Sequence, residues 1–222
     1  MSIGEPVVLR DISVELDLEQ LETQPPFAQW LAAKSGAATR TRIETLREEV
    51  VASIDPRGLY LIEPTQESVI ERYDPPAELV SGSHLVTGVV TLGEDPVATN
   101  ELSRFDALLW DALENAALQD VREAMLEAIR AETDERGWNT TRVYAPGTKD
   151  DGWPLERREY VFEALPTEEI DCTLQGTYTE PRKTLTFTIG VGPDIEQAEF
   201  LLSCADCEIL AECPYAGAKT MA

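Results

Sequence analysis

An α+β fold is what this sequence predicts, with a largely antiparallel, twisted sheet packed with one long spine helix and shorter helices. Three observations carry that expectation. Strand-like and helix-like segments are mixed along the chain rather than strictly alternating, which favours antiparallel pairing over a doubly wound parallel sheet. Between residues 103 and 135, Phe105, Leu108, Leu109, Ala112, Leu113, Ala116, Ala117, Val121, Ala124, Met125, Ala128 and Ile129 form one continuous apolar stripe at helical spacing. Near the end, Leu185, Phe187 and Ile189 alternate with three threonines, the pattern of a half-buried strand.

The elements follow in order. Residues 7–14 read as a β-like start, and residues 18–31 as a weak helical patch interrupted by Pro25-Pro26. Ile43, Leu46, Val50 and Ile54 recur at spacings of three and four and predict a helix over 41–54, stopped by the turn Asp55-Pro56-Arg57-Gly58. A short strand is expected over 59–62. Residues 69–83 hold Pro75-Pro76 and Gly82 and read as a loop or linker with one turn of helix. Residues 84–92 form a better strand, closed by Gly93. The spine helix has Ser103 with Asp106 as a capping pair and Gly137 as its stop, and at 1.5 Å per residue it is about 50 Å long. A strand over 140–144, a Gly/Pro/Asp loop over 145–154, a short helix over 155–165 and strands over 169–175 and 184–191 complete the reading. The chain divides into an N-terminal strand/helix extension (1–40), a core (41–200) and a Cys-rich C-terminal tail (201–222).

Composition narrows the function classes. An apolar fraction of 43% over 222 residues suffices for a real core in one domain. No apolar run approaches the roughly 20 residues of a membrane span, and the first ten residues do not look like a secretory signal, so a cytoplasmic location is expected. Acidic residues outnumber basic ones 42 to 18, and a net charge of −24 argues against nucleic acid and against an anionic membrane surface. The same field favours a cationic ligand or a basic partner. Acid excess with only four lysines (Lys34, Lys149, Lys183, Lys219) fits a salt-rich cytoplasm or a high-GC genome.

Two segments carry possible chemistry, and neither supplies an independent catalytic set. The single histidine, His84, lies in a predicted strand and reads as structural. In the loop from Arg142 to Glu156, Pro146-Gly147 makes a sharp turn at a strand end that exposes backbone groups next to Ala145. Tyr144 and Trp153 flank it with flat faces, and Asp150 and Asp151 add negative charge. Such a loop can hold a flat cationic molecule by stacking and attraction; a plain connection is the other reading. The tail places Cys204, Cys207 and Cys213 in a Cys-x2-Cys-x5-Cys pattern. That is three ligands for zinc or an iron–sulfur cluster, with Cys172, His84, an acidic residue or an exogenous group as the fourth; free thiols or a redox pair are the alternatives.

Taken together these segments resemble the reactivation (activation) domain of cobalamin-dependent methionine synthase, in its stand-alone form, over roughly residues 40 to 216. Val89-Val90-Thr91-Leu92-Gly93 before Asp106-Ala107-Leu108-Leu109-Trp110-Asp111-Ala112 is similar to the group's "TLG … LDA" pattern. Tyr144-Ala145-Pro146-Gly147 followed by Gly152-Trp153-Pro154-Leu155-Glu156 resembles "(S/A)PGYGDLPLE". Cys172-Thr173-Leu174-Gln175 with Glu180-Pro181-Arg182-Lys183-Thr184 resembles "LTES … LPRKS", and the ending resembles "CxxC … CPYR". The pattern departs at Val143, Thr148 and Gly176. The resemblance implies a methionine synthase activation domain-like fold and an accessory role in a methyltransferase of methionine biosynthesis. It implies S-adenosylmethionine held by Arg142, Tyr144, Ala145, Pro146, Gly147, Trp153 and Tyr178. It also implies cobalamin (vitamin B12) carried by a partner, either methionine synthase or another corrinoid protein, with a flavodoxin or ferredoxin as electron donor. The Cys-rich tail adds the alternative of a metal or iron–sulfur electron-transfer module, and loss of the ligand would leave a non-catalytic interaction protein.

Overall fold

The apolar stripe forms one helix, as its capping signals predict. In a computed structural model, which describes residues 3–23, 26–33, 36–94, 102–148 and 152–198, it runs as α5 from Arg104 to Glu135. The Ser103 hydroxyl accepts the Asp106 backbone N–H at 3.1 Å, and Gly137, with φ +66°, ends it. Shorter helices are α1 (Leu18–Thr23), α2 (Phe27–Leu31), α3 (Gly36–Ser53), α4 (Glu67–Tyr73) and α6 (Glu159–Ala164). The strands are β1 (Val7–Leu9), β2 (Arg57–Pro64), β3 (His84–Thr91), β4 (Asn139–Thr140), β5 (Thr173–Gln175), β6 (Tyr178–Glu180) and β7 (Thr184–Gly192).

Five strands make the main sheet in the order β1-β2-β3-β7-β4, with every neighbouring pair antiparallel. Alternation along each strand divides the core into two layers. Tyr60, Ile62, Val86, Val90, Phe187, Ile189 and Val191 face α3 and α5, where Leu46, Val50, Leu109, Leu113, Val121, Met125 and Ile129 are fully buried. Gly58 lets the spine helix approach, since a Cβ there would sit 2.2 Å from the Met125 terminal methyl. Leu59, Leu61, Leu85 and Val89 face the other way, against Tyr73, Leu79, Tyr144, Trp153, Tyr160, Val161 and Ile170.

Several expectations need correction. Phe105 and Leu108 belong to the predicted stripe but are 41% and 58% exposed. A 32-residue helix is about 48 Å long and a nine-residue strand about 30 Å, so α5 outruns the sheet; the half-open Phe105 ring meets the Trp30 ring edge-on at 6.0 Å. The threonines of β7 are buried rather than solvent-facing, because the layer built on α6 and the loop before it covers that side of the sheet. The helical turn expected within 69–83 is the end of the longer α4, which starts at Glu67 and is ended by Asp74 in the left-handed region at φ +46°, and a 3-10 turn follows at Leu79–Ser81. The strand expected over 169–175 is a 3-10 turn, Thr167–Ile170, followed by β5, which pairs with β6 as a separate hairpin. The strand expected over 140–144 shortens to β4 and one isolated bridge, Tyr144 to Thr188. Leu16, Leu21 and Phe27 join the first core layer and β1 pairs with β2, so the residues expected as an extension pack with the core.

Candidate functional site

The Pro-Gly turn grows out of the sheet edge. Tyr144 exchanges backbone hydrogen bonds with Thr188, at 2.9 and 2.8 Å, and the chain then leaves the sheet. Gly147 takes φ +89°, a conformation that disfavours any side chain, and a Cβ there would lie 2.6 Å from Leu155 Cδ1. The Gly147 N–H donates to the Trp153 carbonyl at 2.8 Å and the Thr148 N–H to the Ala145 carbonyl at 3.1 Å, which closes the turn on itself. The packing seats the turn on Leu155, first residue of a 3-10 turn, Leu155–Arg158, that runs directly into α6.

The structure brings Arg142, Tyr144, Ala145, Pro146, Gly147 and Trp153 together but not as a stacking platform. Tyr144 is 1% exposed and Trp153 2%, and both rings belong to the second core layer. The Tyr144 hydroxyl donates to the Glu78 carboxylate, and burial, followed by that hydrogen bond, raises its pKa. The Arg142 guanidinium covers the Tyr144 ring at 4.1 Å from its centroid, with Nε 3.9 Å from Glu78. Trp153 Nε1 donates to the Tyr73 carbonyl at 2.9 Å. The expectation that these two rings offer open faces is therefore overturned: each aromatic body sits inside and its polar tip has a protein partner. Pro146 is buried, Ala145 half-buried and Gly147 exposed. Tyr178 is the aromatic left open, 79% exposed on the β5–β6 hairpin. Asp150 and Asp151 lie outside the described residues.

The β5–β6 hairpin is tied to the 3-10 turn Leu155–Arg158 through Arg158, whose Nη1 donates to the Thr177 carbonyl at 3.0 Å. The sequence alone did not single out Arg158 or Glu78, since each reads there as one charge on a surface segment. Elsewhere, His84 stacks on Trp138 at 4.5 Å, bonds Ser83 Oγ through Nδ1 at 2.9 Å, and has its pKa lowered by burial and then by Arg136. These contacts fit a structural histidine. Cys172 is 1% exposed, its sulfur 3.9 Å from Thr184 Oγ1, and burial pushes its thiol up, opposite to the thiolate that a metal needs. Among the described residues no group of three His, Cys, Asp or Glu is placed to hold a metal. Cys204, Cys207 and Cys213 lie outside the described residues. Among the described residues, no helix is long and apolar enough to cross a membrane.

No family model matches this sequence, and no curated protein matches it. Its three-dimensional structure does have a counterpart. A crystal structure of the MetH reactivation domain bound to AdoHcy superimposes with a TM-score of 0.57, covering 88% of this chain and 81% of that one at 12% identity. A long helix against an antiparallel sheet, with a second layer built on the loop that leaves its edge, is thus the fold of the MetH reactivation domain.

Proposed function

We propose that this chain is an accessory protein that binds an S-adenosyl ligand beside the Ala145–Gly147 turn and supports reductive remethylation of a corrinoid carried by a partner. The observation that carries the reading is the likeness in fold to a reactivation domain with AdoHcy bound, which extends over most of both chains. Three further features support it. The turn lies where the chain leaves the edge of the sheet. The open ring of Tyr178 stands on the neighbouring hairpin and can take an adenine face, the role that Tyr144 and Trp153 cannot fill. The net charge of −24 attracts a sulfonium cation.

In this reading the ligand and the partner's cofactor carry the chemistry: a reduced cobalt takes the sulfonium methyl and leaves the thioether, with the reducing electron supplied by a flavodoxin- or ferredoxin-type donor. The chain's own residues bind and orient. Isothermal calorimetry with S-adenosylmethionine and S-adenosylhomocysteine, together with a pull-down using a cobalamin-binding module of methionine synthase, tests the assignment. One-site binding of a ligand, weakened about tenfold by Tyr178→Ala, and retention of the module are expected. Flat calorimetry with no retained module removes it.

A second reading, a non-catalytic interaction protein that keeps the fold without the ligand, is favoured by one feature. The Gly147 and Thr148 N–H groups are both consumed inside the turn. Retention of the module with flat calorimetry selects that reading.

A further inference from the structure

The chain enters its Cys-rich tail from a fixed point. Asn139 Nδ2 donates to the Ile195 carbonyl at 2.7 Å and the Thr140 N–H to Gln197 Oε1 at 3.1 Å. Gln197 Nε2 donates to Thr140 Oγ1 at 2.9 Å and the Ala198 N–H to the Thr140 carbonyl at 2.8 Å. Residues 195–198 are thereby stitched along the outer side of β4. Thr140 pairs with Val191 and Val191 with His84, so Ala198, Thr140, Val191 and His84 follow one rung across the sheet. Three strand spacings put Ala198 about 14 Å from His84. Cys204 comes six residues after Ala198, Cys207 nine and Cys213 fifteen, and six extended residues reach about 20 Å. Cys172 is a poor partner for these thiols. It touches Thr184, seven residues along β7 from Val191 and about 24 Å away, and it is closed off from solvent.

The ring of His84 is held at its face and at Nδ1 and is open at Nε2. It stacks on Trp138 at 4.5 Å with 25° between the planes, and Nδ1 meets Ser83 Oγ at 2.9 Å. The corner is tight, since a Cβ on Gly192 would lie 2.9 Å from that same hydroxyl. With the hydroxyl accepting from Nδ1–H, Nε2 carries a lone pair. It has no hydrogen-bond partner among the described residues, and the residue is only half-buried. A ring oriented through one nitrogen with the other left bare is the arrangement of a metal-ligating histidine. Arg136 stands 5.4 Å from the Trp138 centroid. A cation there suits a centre of one zinc ion and three thiolates, whose net charge is negative.

We infer that His84 Nε2 is the fourth ligand of a structural zinc site whose other ligands are the thiolates of Cys204, Cys207 and Cys213. The Cys-x2-Cys pair clasps the ion with two sulfurs, and three cysteines with one histidine make a closed tetrahedral set. The thiols lose their protons to solvent as the ion binds. The site fastens the tail to the sheet at the end where His84 lies, and it stands apart from the S-adenosyl reading given above.

His84 is the only histidine of the chain, so in the untagged protein its imidazole signals need no assignment. The full chain is stripped of metal under reducing conditions and titrated with zinc, with binding read by calorimetry and the imidazole by nuclear magnetic resonance. One equivalent of zinc is expected to bind, and the imidazole signals to take the pattern of a ring metallated at Nε2 with a proton kept on Nδ1. His84→Gln and Cys204→Ser are each expected to bind zinc about a hundredfold more weakly, and Cys172→Ser as tightly as wild type. Thermal unfolding of the metal-free proteins confirms that each variant is folded. Imidazole signals unmoved at saturating zinc overturn the inference without recourse to any variant. So does a His84→Gln that binds as tightly as wild type, a Cys172→Ser that loses the ion, a chain that takes up no zinc, or an anaerobic preparation that carries iron and sulfide instead.

Discussion

Two small groups of side chains in the second layer follow one plan. Tyr144 and Tyr73 each bury a ring, donate the hydroxyl to a glutamate (Glu78 and Glu163) and carry an arginine over the ring (Arg142 at 4.1 Å and Arg72 at 4.9 Å). Burial and Glu163 push the Tyr73 phenol up to about 12, so it stays a hydrogen-bond donor throughout the physiological range. The Tyr144–Glu78 link joins residues 66 positions apart and pins the start of the Pro-Gly loop. That separation is why the inward turn of Tyr144 was not legible in the sequence. An aromatic next to a Pro-Gly pair has the same local signature whether it faces in or out, and the deciding glutamate lies in a distant loop. The turn itself was legible, because Gly147 at φ +89° is what a Pro-Gly pair announces. Gly147→Ala is expected to cost about 1–3 kcal/mol, through backbone strain and contact with Leu155. Urea unfolding should give a lower midpoint with an unchanged slope, and an unmoved midpoint would show that the turn relaxes without strain.

Among the elements, α5 was the most readable, since its cap, stripe and stop agree. Its Ser103 cap contributes a single hydrogen bond at an exposed end, so Ser103→Ala is expected to cost about 1 kcal/mol, with Ser103→Asp restoring most of it. Equal loss in both variants, measured by thermal unfolding, would place the effect in packing rather than capping. The strands β2 and β3 were found as short apolar, β-branched runs bounded by turn residues, and β7 by its apolar alternation. The 3-10 turns and the β5–β6 hairpin were missed for a common reason. Segments of three or four residues show too little periodicity to register, and Thr167–Ile170 sits within a run that looks extended. The candidate site is built on just these short pieces. Its seat is Leu155–Arg158 and its open ring is on β6, so the sequence located the loop but not the surface on which the loop rests.

The whole molecule is a sheet covered on both faces and wrapped in negative charge. Like charges at this density oppose the compact state, and dissolved salt screens them over about 8–10 Å at 0.1–0.15 M. Stability is therefore expected to rise with sodium chloride from low salt into the molar range. Urea midpoints measured across that series check it, and a flat series would show that repulsion has been relieved by local pairing. The alternation of apolar and threonine residues on β7 suggested a one-sided sheet, and the second layer supplies the missing cover from segments distant in sequence. That is a property of the tertiary fold which no window of the sequence contains.

The margins of the main sheet have a bearing on how the protein meets another. Among the described residues the outermost strand has three residues on one flank and two on the other, so neither edge strand presents a long row of vacant peptide groups. A second polypeptide has little to gain by annealing alongside, which discourages fibre-like stacking in a crowded cell.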